Sequence, residues 1–138
     1  MIKGQCLCGG ISYKYEGEIT ELAICHCYQC KKAQGTPFVT NAPIEQKRFS
    51  ILAGESLLKE FMASRNKRRV FCANCGSPLF SQRIDNPEMI RLRVGTITEG
   101  TIPKPDYHIH YDSKSEWFNQ DGSETIYAAE KLVSTNGN

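Results

Sequence analysis

Apolar and polar residues alternate along this chain in short runs, and a period of two predicts strands. "ISYKYEG", residues 11–17, sets Ile11, Tyr13 and Tyr15 against Ser12 and Lys14, as a half-buried strand does. "ELAIC" leads into a cluster of cysteines. "RFSILAG", "LLKEFMAS", "RRVFC", "SPLFSQRI" and "MIRLRVGTI" follow, most of them bounded by Gly, Asn, Asp or Pro. "YHIHYD", 107–112, reads as one more strand, and 122–129 fits neither period cleanly. One short helix is expected around 28–34. The pattern predicts an all-β, mainly antiparallel fold with little helix. There is no internal repeat and no low-complexity tract. A single domain over 1–133 is expected, with "STNGN", 134–138, as a flexible tail.

Composition narrows the function classes. The 138 residues are 40% hydrophobic and 23% charged, which suits one soluble domain with a modest core. A net charge of +2 gives no reason to expect nucleic acid or a membrane surface as partner. "RNKRRV", 65–70, holds four basic residues in six. It lacks the interleaved aromatics of a nucleic-acid binder and reads as a solvated hairpin flank. No run approaches the roughly 18 apolar residues of a membrane span, and the first residues lack the apolar core of a signal peptide. The expected compartment is the cytoplasm. Thiols stay reduced there, so the seven cysteines read as metal ligands or reactive thiols rather than as disulfides.

Those cysteines fall into three groups. Cys6 and Cys8 form C-x-C, Cys25, Cys27 and Cys30 form C-x-C-x-x-C, and Cys72 and Cys75 form C-x-x-C. In an extended segment residues i and i+2 point to the same side, so C-x-C can offer two thiolates to one ion. C-x-x-C does so from a tight turn. Gly9 follows Cys8 and Gly76 follows Cys75, where a left-handed backbone is often needed. Cys6, Cys8, Cys72 and Cys75 together would fill a tetrahedral zinc site, which makes it structural. Cys25, Cys27 and Cys30 would leave one corner open, as catalytic zinc sites do. His26 could close that corner, but in an extended segment it points away from Cys25 and Cys27. A Cys27–Cys30 dithiol and three unmetallated thiols are the other readings.

Further candidates surround the second cluster. His108 and His110 are two apart and should share a strand face, and one of them could act as general acid or base. Lys31 and Lys32 could offset thiolate charge or bind a carboxylate. The amides of Gln34, Gly35 and Thr36 could hydrogen-bond sulfur. Trp117 and Phe118 read as core or cleft wall.

"GQCLCGGISY", "CHCYQCKKAQGTPF", "FCANCGSPLF" and "PDYHIHYDSKSEWF", in that order, resemble the glutathione-dependent formaldehyde-activating family, which includes centromere protein V-like proteins. The resemblance covers about residues 4–118. It implies a tent-like fold of small β-sheets with two zinc ions per chain. Cys6, Cys8, Cys72 and Cys75 would hold the structural zinc, and Cys25, Cys27 and Cys30 the second. It favours His108 as the histidine of the site. It further implies carbon–sulfur lyase chemistry, joining formaldehyde and glutathione into S-hydroxymethylglutathione or reversing that step. The partner would be a small thiol, with glutathione the first expectation. The alternative is a non-catalytic binding module in which both metals are structural.

Overall fold

A computed structural model describes residues 1–119, 122 and 124–131. The strands are β1 (Ile2–Gln5), β2 (Ser12–Tyr15), β3 (Ala23–Cys25), β4 (Val39–Glu45), β5 (Phe49–Ala53) and β6 (Leu58–Ser64). They continue with β7 (Lys67–Cys72), β8 (Pro78–Arg83), β9 (Asn86–Arg93), β10 (Ile97–Glu99), β11 (Tyr107–Ile109) and β12 (Thr125–Ile126). One α-helix, α1 (Tyr28–Gln34), joins β3 to β4, where the sequence predicts it. The tail at 134–138 and the domain's end at 133 lie outside the described residues.

The strands form two sheets. The smaller has the order β10-β1-β2-β5. The larger has the order β12-β11-β3-β4-β9-β8-β7-β6. All pairings are antiparallel except those of β11, which runs parallel to β3 and β12. The mainly antiparallel β domain expected from the alternation is what forms, and one of its sheets reaches eight strands. Ile2, Tyr13, Ile44, Leu79, Ile90 and Leu92, from both sheets, join in the main core. Fully burying one such aliphatic side chain stabilises the fold by about 1.5–3 kcal/mol.

The other face of the large sheet is unusual. Register places Cys25 beside Val39, Asn41 beside Arg93, Arg91 beside Ser81, and Ser81 beside Arg69. Paired residues of adjacent strands share a face. Asn41, Ser81, Arg91 and Arg93 are buried on this face, and α1 brings Cys30, also buried, to the smaller apolar cluster of Ala23, Cys25, Val39, Tyr107 and Ile109.

Two strands, β1 and β4, do not stand out in the hydrophobic pattern. In β4, "VTNAPIE", Asn41 and Pro43 interrupt it. Pro43 lies beyond Asn41, the residue opposite Ala23 where β3 begins. One edge of β4 is therefore free there among the described residues, which is where a strand tolerates a missing N–H.

Candidate metal centres

The first cysteine cluster joins the end of β1 to the β7–β8 turn. Cys6, Cys8, Cys72 and Cys75 place their sulfurs within 4.8 Å of one another. Thiolates about 2.3 Å from a tetrahedral zinc stand about 3.8 Å apart. Cys6 and Cys8 are 3.5 Å apart, and Cys8 and Cys72 are 3.9 Å apart. The donor set therefore fits zinc. Cys6 and Cys8 reach it from a turn closed by Gly9 N donating to Cys6 O, not from an extended segment. Gly9 and Gly76 are both left-handed, with φ of 76° and 79°, as the knuckle reading requires. Backbone groups steady the sulfurs. Ile11 N donates to Cys6 Sγ at 3.3 Å, and Leu7 N donates to Ser77 Oγ at 2.8 Å. The Ser77 hydroxyl, 3.3 Å from Cys75 Sγ, together with the Ser77 backbone draws that thiol down to about 5.

The second cluster gathers Cys25, Cys27 and Cys30 within the same 4.8 Å limit. Cys25 ends β3. Cys27 is extended and caps α1, its Sγ accepting from Cys30 N at 3.2 Å. Cys30 lies in the first turn of the helix and is buried. Three soft thiolate donors so placed suit zinc and leave a tetrahedron one ligand short. Hydrogen bonds from Cys25 and Cys27 hold the Cys30 thiol well below its ordinary value, with the charges of Arg93 and Lys67 assisting. The contacts with Cys27 and Cys30 push the Cys25 thiol up.

His26 turns away from this cluster. It is fully buried, with its ring among those of Phe38, His108, Tyr111 and Phe118. His26 Nε2 and His108 Nδ1 share a hydrogen bond of 2.9 Å, and His108 Nε2 lies 3.4 Å from Glu124 Oε1. If His108 donates to Glu124, it accepts from His26, which leaves His26 Nδ1 as a buried lone pair without a partner. Burial, and then the neighbouring His108, lowers His26 to about 4, so it is neutral at neutral pH.

His108 is thus not brought to the three cysteines, contrary to the expectation from the resemblance. It pairs with Ile24, whereas Ile109 pairs with Cys25, so His108 lies on the opposite face. His110 takes its place. Its backbone is left-handed, φ 53°, the one such non-glycine among the described residues. That kink breaks the two-residue alternation, and His110 lines the cavity beside the cysteines.

This cavity, of about 40 Å³, is walled by Cys25, Cys27 and Cys30 together with Asn41, Lys67, Arg91 and Arg93, with Ile109, His110 and Glu130 completing it. A ring of cations stands around the second cluster. Arg69 Nη2 donates to Cys30 Sγ at 3.3 Å and to Gln29 Oε1 at 2.8 Å. Arg93 donates to Arg91 O at 3.0 Å and to Ser81 Oγ at 3.1 Å, and burial pulls it down to about 10, still charged at neutral pH. Burial also lowers Lys67. The basic run at 65–70 is therefore not a plain solvated flank. Alternation sends Lys67 and Arg69 inward, while Arg68 pairs with Glu60 at 2.7 Å. Arg91 and Arg93 carry the same signal in "IRLRV", where they alternate with Ile90 and Leu92.

The remaining candidates have other roles. Lys31 Nζ donates to Ser113 O at 2.6 Å and lies over the Tyr28 ring. The amides of Gly35 and Thr36 both donate to Lys31 O, closing the helix, and do not reach sulfur. Gln34 lines an apolar groove with Phe61, Phe71 and Phe80. Phe118 walls the His26 cage, whereas Trp117 is 66% exposed and belongs to no core.

A β fold carrying one cluster of four cysteines and one of three defines a domain with two candidate metal sites whose donors suit zinc. The chain belongs to the glutathione-dependent formaldehyde-activating enzyme family, whose family model matches residues 1–113. It is similar to an uncharacterized lyase of Schizosaccharomyces pombe, at 32% identity over 78 residues. That match takes in 56% of this chain and 55% of the relative, so the chain spans about half the relative's length. Among solved structures, a Rhodobacter sphaeroides protein matches with a TM-score of 0.61 at 22% identity, over 91% of this chain and 98% of that one. That likeness shows the fold alone. No described helix is long and apolar enough to cross a membrane.

Proposed function

We propose that this chain is a two-zinc enzyme of the carbon–sulfur lyase type, acting on a small thiol or its aldehyde adduct. The observation that carries the proposal is the composition of the second cluster. Three sulfurs meet at a cavity, and His26, the fourth ligand that the sequence offers between Cys25 and Cys27, faces the other way. Cys25, Cys27 and Cys30 would hold the second zinc, and Cys6, Cys8, Cys72 and Cys75 the first. Zinc at an open site of this kind lowers the pKa of a bound thiol and gathers nucleophile and carbonyl compound.

The chain's own residues supply the rest. In the forward direction the thiol sulfur adds to the carbonyl carbon, one C–S bond forms, and the carbonyl oxygen takes up a proton. The reverse breaks that bond and returns the proton. His110 lines the cavity wall, which supports it as the group that carries this proton. A cavity of about 40 Å³ suits the reacting end of a thiol. The binding-module alternative needs a fourth protein ligand at the second cluster, and the direction of His26 weighs against it.

Zinc content per chain, measured on protein prepared without chelator, tests this reading together with glutathione calorimetry. Two zinc ions falling to one in Cys30→Ala, with loss of the glutathione heat, is the expected result. One zinc ion in both proteins after zinc has been added back, with no heat from glutathione, would overturn it.

A further inference from the structure

The cavity at the second cluster carries more positive charge than its thiolates and a metal require. Three thiolates and a divalent zinc leave one negative charge. Lys67, Arg91 and Arg93 bring three positive charges to the same walls, and Glu130 one negative. Glu130 is exposed at the rim and forms no ion pair with these cations among the described residues. Neutralising the cluster therefore accounts for only part of this charge.

Hydrogen bonding separates the cations that are occupied from those that are not. Both terminal nitrogens of Arg93 donate to protein, and Arg69 is engaged with Gln29 and Cys30. Arg91 is different. It is only 9% exposed, its Nη1 donates to Asn41 Oδ1 at 3.2 Å, and its Nη2 is buried with no partner. A buried guanidinium nitrogen left without a partner is costly to the fold. The Lys67 ammonium, on the same walls, has no hydrogen bond or ion pair among the described residues.

We infer that Arg91 and Lys67 form a carboxylate subsite beside the three cysteines, so that the substrate is a compact thiol bearing a carboxylate. This rests on the thiol reading of the second cluster and narrows it. A guanidinium with a free nitrogen recognises a carboxylate through charge-assisted hydrogen bonds. Arg91 and Lys67 also wall a second cavity, of about 10 Å³. That space holds at most about one water, so the anion enters on the cysteine side.

Calorimetry on the zinc-loaded full chain tests the subsite with four probes: 3-mercaptopropionate, 2-mercaptoethanol, cysteamine and propionate. The expected result is binding of 3-mercaptopropionate about tenfold or more tighter than 2-mercaptoethanol, with cysteamine weakest. In Arg91→Gln that preference collapses to about threefold or less while zinc content stays the same. Lys67→Met, at a half-exposed position, should weaken the preference in the same direction and serves as the readout should Arg91→Gln fail to fold. Equal affinity for the two thiols would overturn the subsite. So would a preference that survives both substitutions, or a loss of zinc in place of a loss of preference. If no thiol binds but propionate does, and loses its affinity in Arg91→Gln, the subsite stands and the thiol reading falls. If neither propionate nor 3-mercaptopropionate binds, the subsite falls.

Discussion

The two cysteine clusters use the same ligand atom in opposite surroundings. The first sits in two glycine turns, with Cys8 exposed, and is steadied by backbone amides and by Ser77. The second lies on the face of the eight-stranded sheet turned away from the main core, with Cys25 and Cys30 buried and Lys67, Arg69, Arg91 and Arg93 around it. Water and peptide dipoles can answer the charge of the first. At the second the Cys30 amide reaches Cys27, and the buried Cys25 and Cys30 are met by fixed cationic side chains, because a buried charge needs a partner. A site shielded by its own peptide groups suits a staple. A site with built-in charge and a cavity suits a ligand.

The largest test of that contrast is Cys72→Ser. It should remove one zinc ion and abolish cooperative unfolding, because metal affinity at a structural site is folding free energy. A folded variant with two zinc ions would break the comparison. Arg93→Gln should come next. It strands Ser81 Oγ and Arg91 O in the interior and should lower stability by about 3 kcal/mol in a denaturant titration. Titration with a chelator should show weaker zinc at the second cluster and unchanged zinc at the first. His26→Phe should cost about 2 kcal/mol by leaving His108 Nδ1 without its partner, yet elemental analysis should still find the wild-type zinc content. A loss of zinc there would make His26 a ligand and close the second site. Ser77→Ala is the mildest. It should cost about 1 kcal/mol in thermal unfolding and leave thiol binding untouched.

How far these features can be read from the sequence depends on the range of the physics behind them. Cys6 with Cys8 and Cys72 with Cys75 are local spacings followed by glycines, so the division of the ligands is legible in the chain itself. The helix over 28–34 and most of the strands are legible for the same reason. The cation ring is not. It is assembled from β7 and β9, and only the sheet register shows that Lys67, Arg69, Arg91 and Arg93 share a face with Cys25. The basic run hides it further, since Arg68 does point to the other face. Strand alternation gives His108 and His110 one face, but it does not continue through His110, where a left-handed residue ends it. The strand β4 escapes the pattern because Pro43 and Asn41 are acceptable only in view of what β3 does beside them.

The contact between Cys8 and Cys72 spans 64 residues of chain. Bringing two such distant points together costs an unfolded chain about 4 kcal/mol in loop-closure entropy before any contact rewards it. A metal that captures both knuckles early would remove that search from the slow part of folding, and one that arrives late would only lock its result. The order in which metal and fold come together is therefore a kinetic property of this topology. Chains released from denaturant with zinc already present should refold faster than chains given zinc afterwards.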